Sequence, residues 1–290
     1  MKKVLLTGFT GMLGSEVYST LKEEFEIYLL STKKIKKKRF LNFDLKKKNF
    51  KVLKNWVKPD VIIHCAAETN IDFCEKRKKN CKKINFESVK KLIKCFPESK
   101  FIFISSDSVY SGNKPHSENA LKKPLNYYGL LKLKSEDYVK KFSKNYFILR
   151  TTPVGFTGFN NKKTFVSWII ESVKRKKRLN LFVDAFFSPI SSKLLVKEIK
   201  HIITKDLTGV FNVSSRDSVS KYEFGKRLCK SLKLNTSYLH KADIGNIKLF
   251  AKRNPVQILN CNLYQKKFSR SLPSVSLTIK DLSNNYSLSR

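Results

Sequence analysis

Acidic side chains are scarce in this chain. Against 60 Lys and Arg there are 23 Asp and Glu, a formal charge of +37 over 290 residues. Two readings fit that imbalance: a binder of polyanions, or a globular protein whose solvent faces are covered with lysine. A further absence separates them. There is no Arg-rich tail and no basic region interleaved with aromatics. The basic runs, at 33–39, 46–48, 76–79, 82–83, 90–91 and 174–178, are spread over helical or loop segments. Solvated lysine faces are therefore favoured, and nucleic acid is not an expected partner. The positive field would still attract a polyanionic nucleotide.

Long hydrophobic runs are also missing. No apolar stretch reaches the roughly 18 residues of a membrane-spanning helix. The first apolar run stops at Thr7-Gly8, too short for a secretory signal. A membrane partner is not expected. The six cysteines (65, 74, 81, 95, 229 and 261) form no C-x-x-C pair and do not cluster with the 4 histidines. They read as reduced packing thiols in a cytoplasm, and no metal site is expected. Cys74 and Cys81 are the one pair that could share a helix face. Hydrophobic residues make up 41%, enough to build a core and exclude a disordered chain.

What is present begins with glycine spacing. Val4-Leu5-Leu6 precedes Gly8, Gly11 and Gly14, spaced G-x-x-G-x-x-G. Leu13, Val17 and Leu21 then fall on one helix face. This is strand, tight turn, helix. Gly8 permits the turn, Gly11 lets the backbone approach a pyrophosphate, and Gly14 lets helix pack on strand. The helix N-terminus then faces the phosphates. A glycine-rich turn with no ligand is the simpler alternative.

Tyr128 and Lys132 are four apart, on one face of a helix and one turn apart. A free phenol has a pKa of about 10. A cation within about 4–6 Å would lower it and make the pair a proton-transfer device.

Between and beyond these motifs, apolar strands alternate with helices. Strands are read at 26–31, 42–45, 60–67, 101–106, 146–150 and, later, 209–213. Helices are read at 50–57, 84–96, 128–142, 165–173, 193–203 and 221–232. Near-continuous apolar strands separated by helices imply an α/β fold, a doubly wound parallel sheet covered on both faces. After Pro153 the pattern loosens. Residues 1–152 are read as the dinucleotide-binding domain and 153–290 mainly as a smaller C-terminal substrate-binding lobe, with some segments returning to the sheet.

Taken in order, these motifs resemble the extended short-chain dehydrogenase/reductases, and within them the dTDP-4-dehydrorhamnose reductase group. The resemblance runs nearly end to end. It is carried by residues 7–14, Asp44-Leu45, 65–72 with Cys74-Glu75, Asn85, 105–112 and 128–136. Phe187-Ser188-Pro189-Ile190, Tyr222-Glu223-Phe224, 251–255 and Leu272-Pro273 carry it onward. It implies a Rossmann sheet and an NAD(P)H-dependent reduction of a 4-keto-6-deoxy sugar nucleotide in polysaccharide synthesis. Ser106, Tyr128 and Lys132 would be catalytic. Gly8, Thr10, Gly11, Met12, Leu13, Gly14, Ser31, Thr32, Lys33, Asp44, Leu45, Ala66, Ala67 and Thr69 would hold the cofactor with Tyr128 and Lys132. Ser106, Asp107, Tyr128 and Arg253 would meet the substrate.

Strand two ends in Leu30-Ser31-Thr32-Lys33-Lys34 without a carboxylate, so NADPH is favoured over NADH. Two positions depart from the group: Ser108 stands where Tyr is usual, and Pro153 where an aromatic packs on the sugar. They leave the sugar open. No Glu follows Asp107, which disfavours dehydration. A nucleotide-sugar 4-epimerase and a non-catalytic regulatory subunit are the alternatives. A homodimer is compatible with the resemblance.

Overall fold

The computed structural model describes residues 1–47, 49–159, 163–205 and 207–288. Lys48, the end of the 46–48 basic run, lies outside them. Strands β1 (Lys3–Thr7), β2 (Glu26–Ser31), β3 (Phe40–Asn42), β4 (Val61–His64), β5 (Lys100–Ser106) and β6 (Tyr146–Thr151) pair in parallel. Gly209–Asn212 adds a parallel edge strand beside β6. The order across the sheet is Gly209–Asn212, β6, β5, β4, β1, β2, β3. The direction of winding reverses between β1 and β4, and open α/β sheets bind ligands at the carboxyl ends of the strands at such a point.

Side chains of each strand alternate between two cores. Val4, Leu6, Ile63, Ile102 and Leu149 face the helices Met12–Leu21 and Ser192–Ile203. Leu5, Ile62, Phe101, Phe103 and Ile148 face Leu53, Val89, Leu92 and Val139 on the other side. Both faces are covered, which is why these strands read as unbroken apolar runs.

A separate core gathers Val166, Ile169, Phe187, Phe224, Leu228 and Val275. It is built by helices Phe165–Lys174, Lys221–Ser231 and Val275–Leu288 with short strand pairs. Residues beyond 153 are thus divided. Gly209–Asn212, Ser192–Ile203 and the segment carrying Leu259, Cys261, Tyr264 and Leu272 pack with the sheet, while the three helices just named form the second core.

The strand read at 60–67 is Val61–His64, and two further boundaries differ from the sequence reading. The third strand is Phe40–Asn42, not 42–45. Asp44 Oδ1 accepts the N–H of Lys46, and Lys47 N–H bonds Asp44 O. That side chain turns the chain where apolar alternation suggested extension. The helix read at 84–96 begins earlier, with Lys78–Lys82. It then passes through a π-turn at Lys83–Glu87 before the α-helix Ser88–Cys95. All six cysteines are free thiols. Among the described residues, no helix is long and apolar enough to cross a membrane.

Candidate active site

The turn after β1 is built as its glycines require. Gly8 has φ +68°, and a Cβ there would lie 2.6 Å from Ala66 N. A Cβ on Gly14 would collide with Gly8 O and Phe9 Cα. Gly11 N–H bonds Gly8 O at 2.9 Å, so Gly11 opens the helix Met12–Leu21 directly above the end of β1. That helix has no side-chain cap and no acid in its first turn. Its first N–H groups and positive end thus remain for an anion. Thr7 Oγ1 bonds His64 Nδ1 at 2.9 Å and accepts Ala66 N–H at 3.2 Å. This ties the ends of β1 and β4 together under the turn. Burial holds the His64 pKa down to about 3, so the imidazole is neutral.

Thr10 and Ser31 face each other across this edge, Oγ1 to Oγ 3.3 Å, and Ser31 Oγ accepts Lys33 N–H at 3.1 Å. Thr32 and Lys33 are exposed. Arg39 turns back to Glu26 at the opposite end of β2. Leu45 is buried in the helix-covered core with Phe43 and Phe50, and Asp44 pairs with Lys46. In the loop after β4, Ala66 and Ala67 are half-buried and Thr69 is exposed. Asn85, in the π-turn, holds this loop through both backbone groups of Glu68, at 2.8 and 2.9 Å.

Ser106 ends β5 and Tyr128 opens the helix Tyr127–Phe142. Asn126 caps that helix by accepting Gly129 N–H at 2.9 Å, and Glu75 accepts Tyr127 N–H at 2.9 Å. A Cβ on Gly129 would strike Ser108 O, so glycine lets the helix lie against the loop that follows β5. Tyr128, Lys132, Ser106 and Asp107 are all buried. Burial and the Asp107 carboxylate push the Tyr128 phenol above its ordinary range, while a hydrogen bond with Ser106 pulls it down.

The expected lowering by Lys132 is not seen. Lys132 Nζ donates to Ile104 O at 2.7 Å and lies 5.8 Å from the centre of the Tyr128 ring. Burial brings its own pKa down to about 8. The group that favours the phenolate here is Ser106.

Asp107 organises the loop. Its Oδ1 accepts Ser106 Oγ at 2.8 Å and Ser108 Oγ at 3.2 Å, and its Oδ2 accepts Thr152 Oγ1 at 2.8 Å. Arg253 points to Asp72, Nη2 to Oδ2 2.9 Å. Asn126 Nδ2 donates to Lys252 O, so these contacts fasten residues 251–253 to the first half of the chain. Arg253 is therefore engaged by a carboxylate of its own chain. Pro153 pairs with Ile190 in a short parallel bridge and offers no aromatic ring to stack on a sugar.

Two features escaped the sequence reading. A buried network backs the site: Arg150 bonds Glu136, Tyr110 OH and Glu118 O, and Glu136 accepts Ser105 Oγ. Lys221 opens a helix of the second core, with its ammonium 3.2 Å from the centre of the Phe187 ring. A cation at the first position of a helix, where the dipole opposes it, was the available signal for Lys221. Among the described residues, no group of three or more His, Cys, Asp or Glu could hold a metal ion.

The sequence matches the family model described as RmlD substrate binding domain over residues 1–288. The spore coat polysaccharide biosynthesis protein SpsK of Bacillus subtilis is 27% identical over 250 residues, 82% of each chain. Methionine adenosyltransferase 2 subunit beta of Xenopus laevis is 28% identical over 250 residues, 82% of this chain and 74% of that one. The structure of dTDP-4-dehydrorhamnose reductase from Bacillus anthracis in complex with NADP superposes with a TM-score of 0.88 at 25% identity. It covers 98% of this chain and 99% of that one.

Proposed function

The chain belongs to the RmlD substrate binding domain family, and on that footing we propose that it reduces the keto group of a nucleotide-activated 4-keto-6-deoxysugar. It is a nicotinamide-dependent oxidoreductase of the extended short-chain type. The observation that carries the reading is the buried convergence of Ser106, Tyr128 and Lys132 at the carboxyl end of β5. A relative that acts as an adenosyltransferase subunit keeps a binding role in view, but a binding role does not require a buried phenol, hydroxyl and ammonium.

The residues fit a dinucleotide. Gly8, Gly11 and Gly14 form a cradle that side chains would fill, and the uncapped helix end above it suits a pyrophosphate. A reduced nicotinamide, when bound, supplies the hydride. The chain's own groups do the rest. Ser106 Oγ donates to the carbonyl oxygen of the sugar. Tyr128 gives that oxygen its proton; burial keeps the phenol protonated until the carbonyl takes on charge. Lys132, with a pKa of about 8, stays mostly cationic at neutral pH and would hold the nicotinamide ribose beside Tyr128.

The cofactor is NADPH in preference to NADH. No carboxylate stands at the end of β2 to take a ribose hydroxyl, and Ser31, Thr32 and Lys33 offer donors to a 2′-phosphate. The reaction belongs to the cytoplasm, where such cofactors and free thiols are kept reduced. The likeness to SpsK favours a product used in a surface polysaccharide.

The test is to denature the purified protein, look for released dinucleotide, and titrate the stripped protein with NADPH and NADH. Preference for NADPH, and its consumption on adding dTDP-4-dehydrorhamnose, supports the reading. Firmly retained NAD with no net consumption marks an epimerase instead.

A further inference from the structure

Asn126 spends its side chain in two directions. Its Oδ1 accepts Gly129 N–H at 2.9 Å, and its Nδ2 donates to Lys252 O at 2.9 Å. The amide is oriented from both sides, because a backbone N–H only donates and a carbonyl only accepts. One end closes the first turn of the helix Tyr127–Phe142, which carries Tyr128. The other end holds a carbonyl 126 positions further along the chain.

That distant segment is held at each of four consecutive residues. The Lys76 ammonium lies 4.6 Å from the centre of the Phe250 ring. Asp72 Oδ1 accepts Ala251 N–H at 3.1 Å, and its Oδ2 accepts Arg253 Nη2 at 2.9 Å. Lys252 contributes its carbonyl to Asn126. The helix Ile71–Lys76, which supplies Asp72 and Lys76, also supplies Glu75, and Glu75 accepts Tyr127 N–H at 2.9 Å. Residues 250–253 and the start of the Tyr128 helix thus share their fasteners. Beyond Arg253 the chain runs directly into the second core. Pro255 O accepts Phe186 N–H at 2.7 Å, and Val256–Gln257 pairs in parallel with Phe186–Phe187; Phe187 is buried in that core.

These links act on position more than on stability. The Asp72–Arg253 pair is partly exposed, and such pairs contribute little net. The first turn of a helix is where it frays, and Tyr128 stands on that turn. Capping needs only an oxygen at position 126, which Asp would supply as well as Asn. What Asn adds is the donor, and the donor is spent on residues leading to the second core.

We propose that residues 250–253 latch the second core to the Tyr128 helix, and that Asn126 is the positioning residue through which the latch holds the Tyr128 phenol in line with the sugar carbonyl. This deepens the reading of the chain as a nucleotide-sugar reductase and rests on it.

The experiment uses the full chain as wild type, Asn126→Asp, Asp72→Ala and the double variant. Each is assayed for NADPH oxidation with dTDP-4-dehydrorhamnose. Amide hydrogen exchange is followed over residues 126–130 and 250–253 with NADPH bound. Asn126→Asp keeps the cap and withdraws the donor from Lys252. Its kcat should fall about tenfold or more, within the range that a small misplacement of a reacting group costs. Its unfolding temperature, its NADPH affinity and its KM for the sugar nucleotide should hold, which a general loss of structure would not allow. Asp72→Ala should lower kcat too, and the double variant should be no slower than the slower single variant, because both release one latch. Asp72→Ala should also speed exchange at 126–130, across the latch from the substituted residue. Wild-type kcat in Asn126→Asp, or a double variant slowed by the product of the two single factors, overturns the latch and leaves the reductase reading standing. Wild type that consumes no NADPH with the keto sugar overturns the reductase reading. Exchange at 126–130 unchanged in Asp72→Ala overturns the latch whether or not turnover is seen.

Discussion

Arg150 Nη2 and Glu136 Oε2 meet at 2.6 Å, with both side chains closed off from solvent. Glu136 sits two turns beyond Tyr128 on the same helix, and its carboxylate also takes the Ser105 hydroxyl. Arg150 extends from β6 to Tyr110, whose OH reaches Asn212 at the sheet edge. The ion pair therefore joins the helix of Tyr128 and Lys132 to β6, and the Ser105 hydroxyl joins the same carboxylate to β5, the strand of Ser106. The site's geometry is set behind the site, by groups that never touch a substrate.

Breaking that pair should be costly. Arg150→Met leaves a buried carboxylate without its cation and should destabilise the protein by about 3–5 kcal/mol. Adding Glu136→Gln should restore much of the loss, because the orphaned charge is gone. Urea unfolding of the two variants checks this; an equal loss in both would contradict it.

Tyr128→Phe keeps the ring that packs on Cys74 and Leu131 and removes only the phenol hydroxyl. Turnover should fall by at least roughly 100-fold, the scale of general acid catalysis. NADPH affinity by fluorescence titration should hold near the wild-type value. Wild-type turnover in this variant would remove Tyr128 from its role.

Lys132 should leave a pH signature in stability. Its folded pKa is about 8, and an unfolded lysine titrates near 10.4. Between these values the unfolded chain holds a proton that the folded chain has released, so this group's contribution to stability rises with pH. The stability difference between wild type and Lys132→Met should therefore move in favour of wild type as pH rises across that window. A difference independent of pH would contradict the burial account.

Ser31→Asp places a carboxylate where β2 ends, beside Thr10. It should repel a 2′-phosphate and accept a ribose hydroxyl, shifting preference toward NADH by about tenfold or more. Kd values for both cofactors check this, and an unchanged ratio would move the discriminating contact elsewhere.

The sheet was legible in the sequence because its central strands are covered on both faces, which leaves runs such as Val61-Ile62-Ile63 wholly apolar. The Gly8, Gly11 and Gly14 turn was legible because backbone contact demands glycine there. What escaped depends on distant pairing. Nothing local marks Arg150 as the partner of Glu136, or Lys221 as the cation over the Phe187 ring. The third strand was misplaced because Asp44 folds its side chain onto the next turn, an event that hydropathy does not register. The direction of the Tyr128 shift was misread for a related reason: spacing gives proximity on a helix, while burial and the neighbouring carboxylate come from the fold.

The central claim, hydride delivery to a keto sugar with Tyr128 supplying the proton, is tested most directly by isotope transfer. Wild type and Tyr128→Phe are incubated with deuterated NADPH and dTDP-4-dehydrorhamnose, and the sugar is analysed by mass and NMR. The account predicts one deuterium on the former carbonyl carbon in wild type, matched by one oxidised cofactor, and almost none in Tyr128→Phe. Sugar recovered without deuterium, or labelled equally by both proteins, would contradict it.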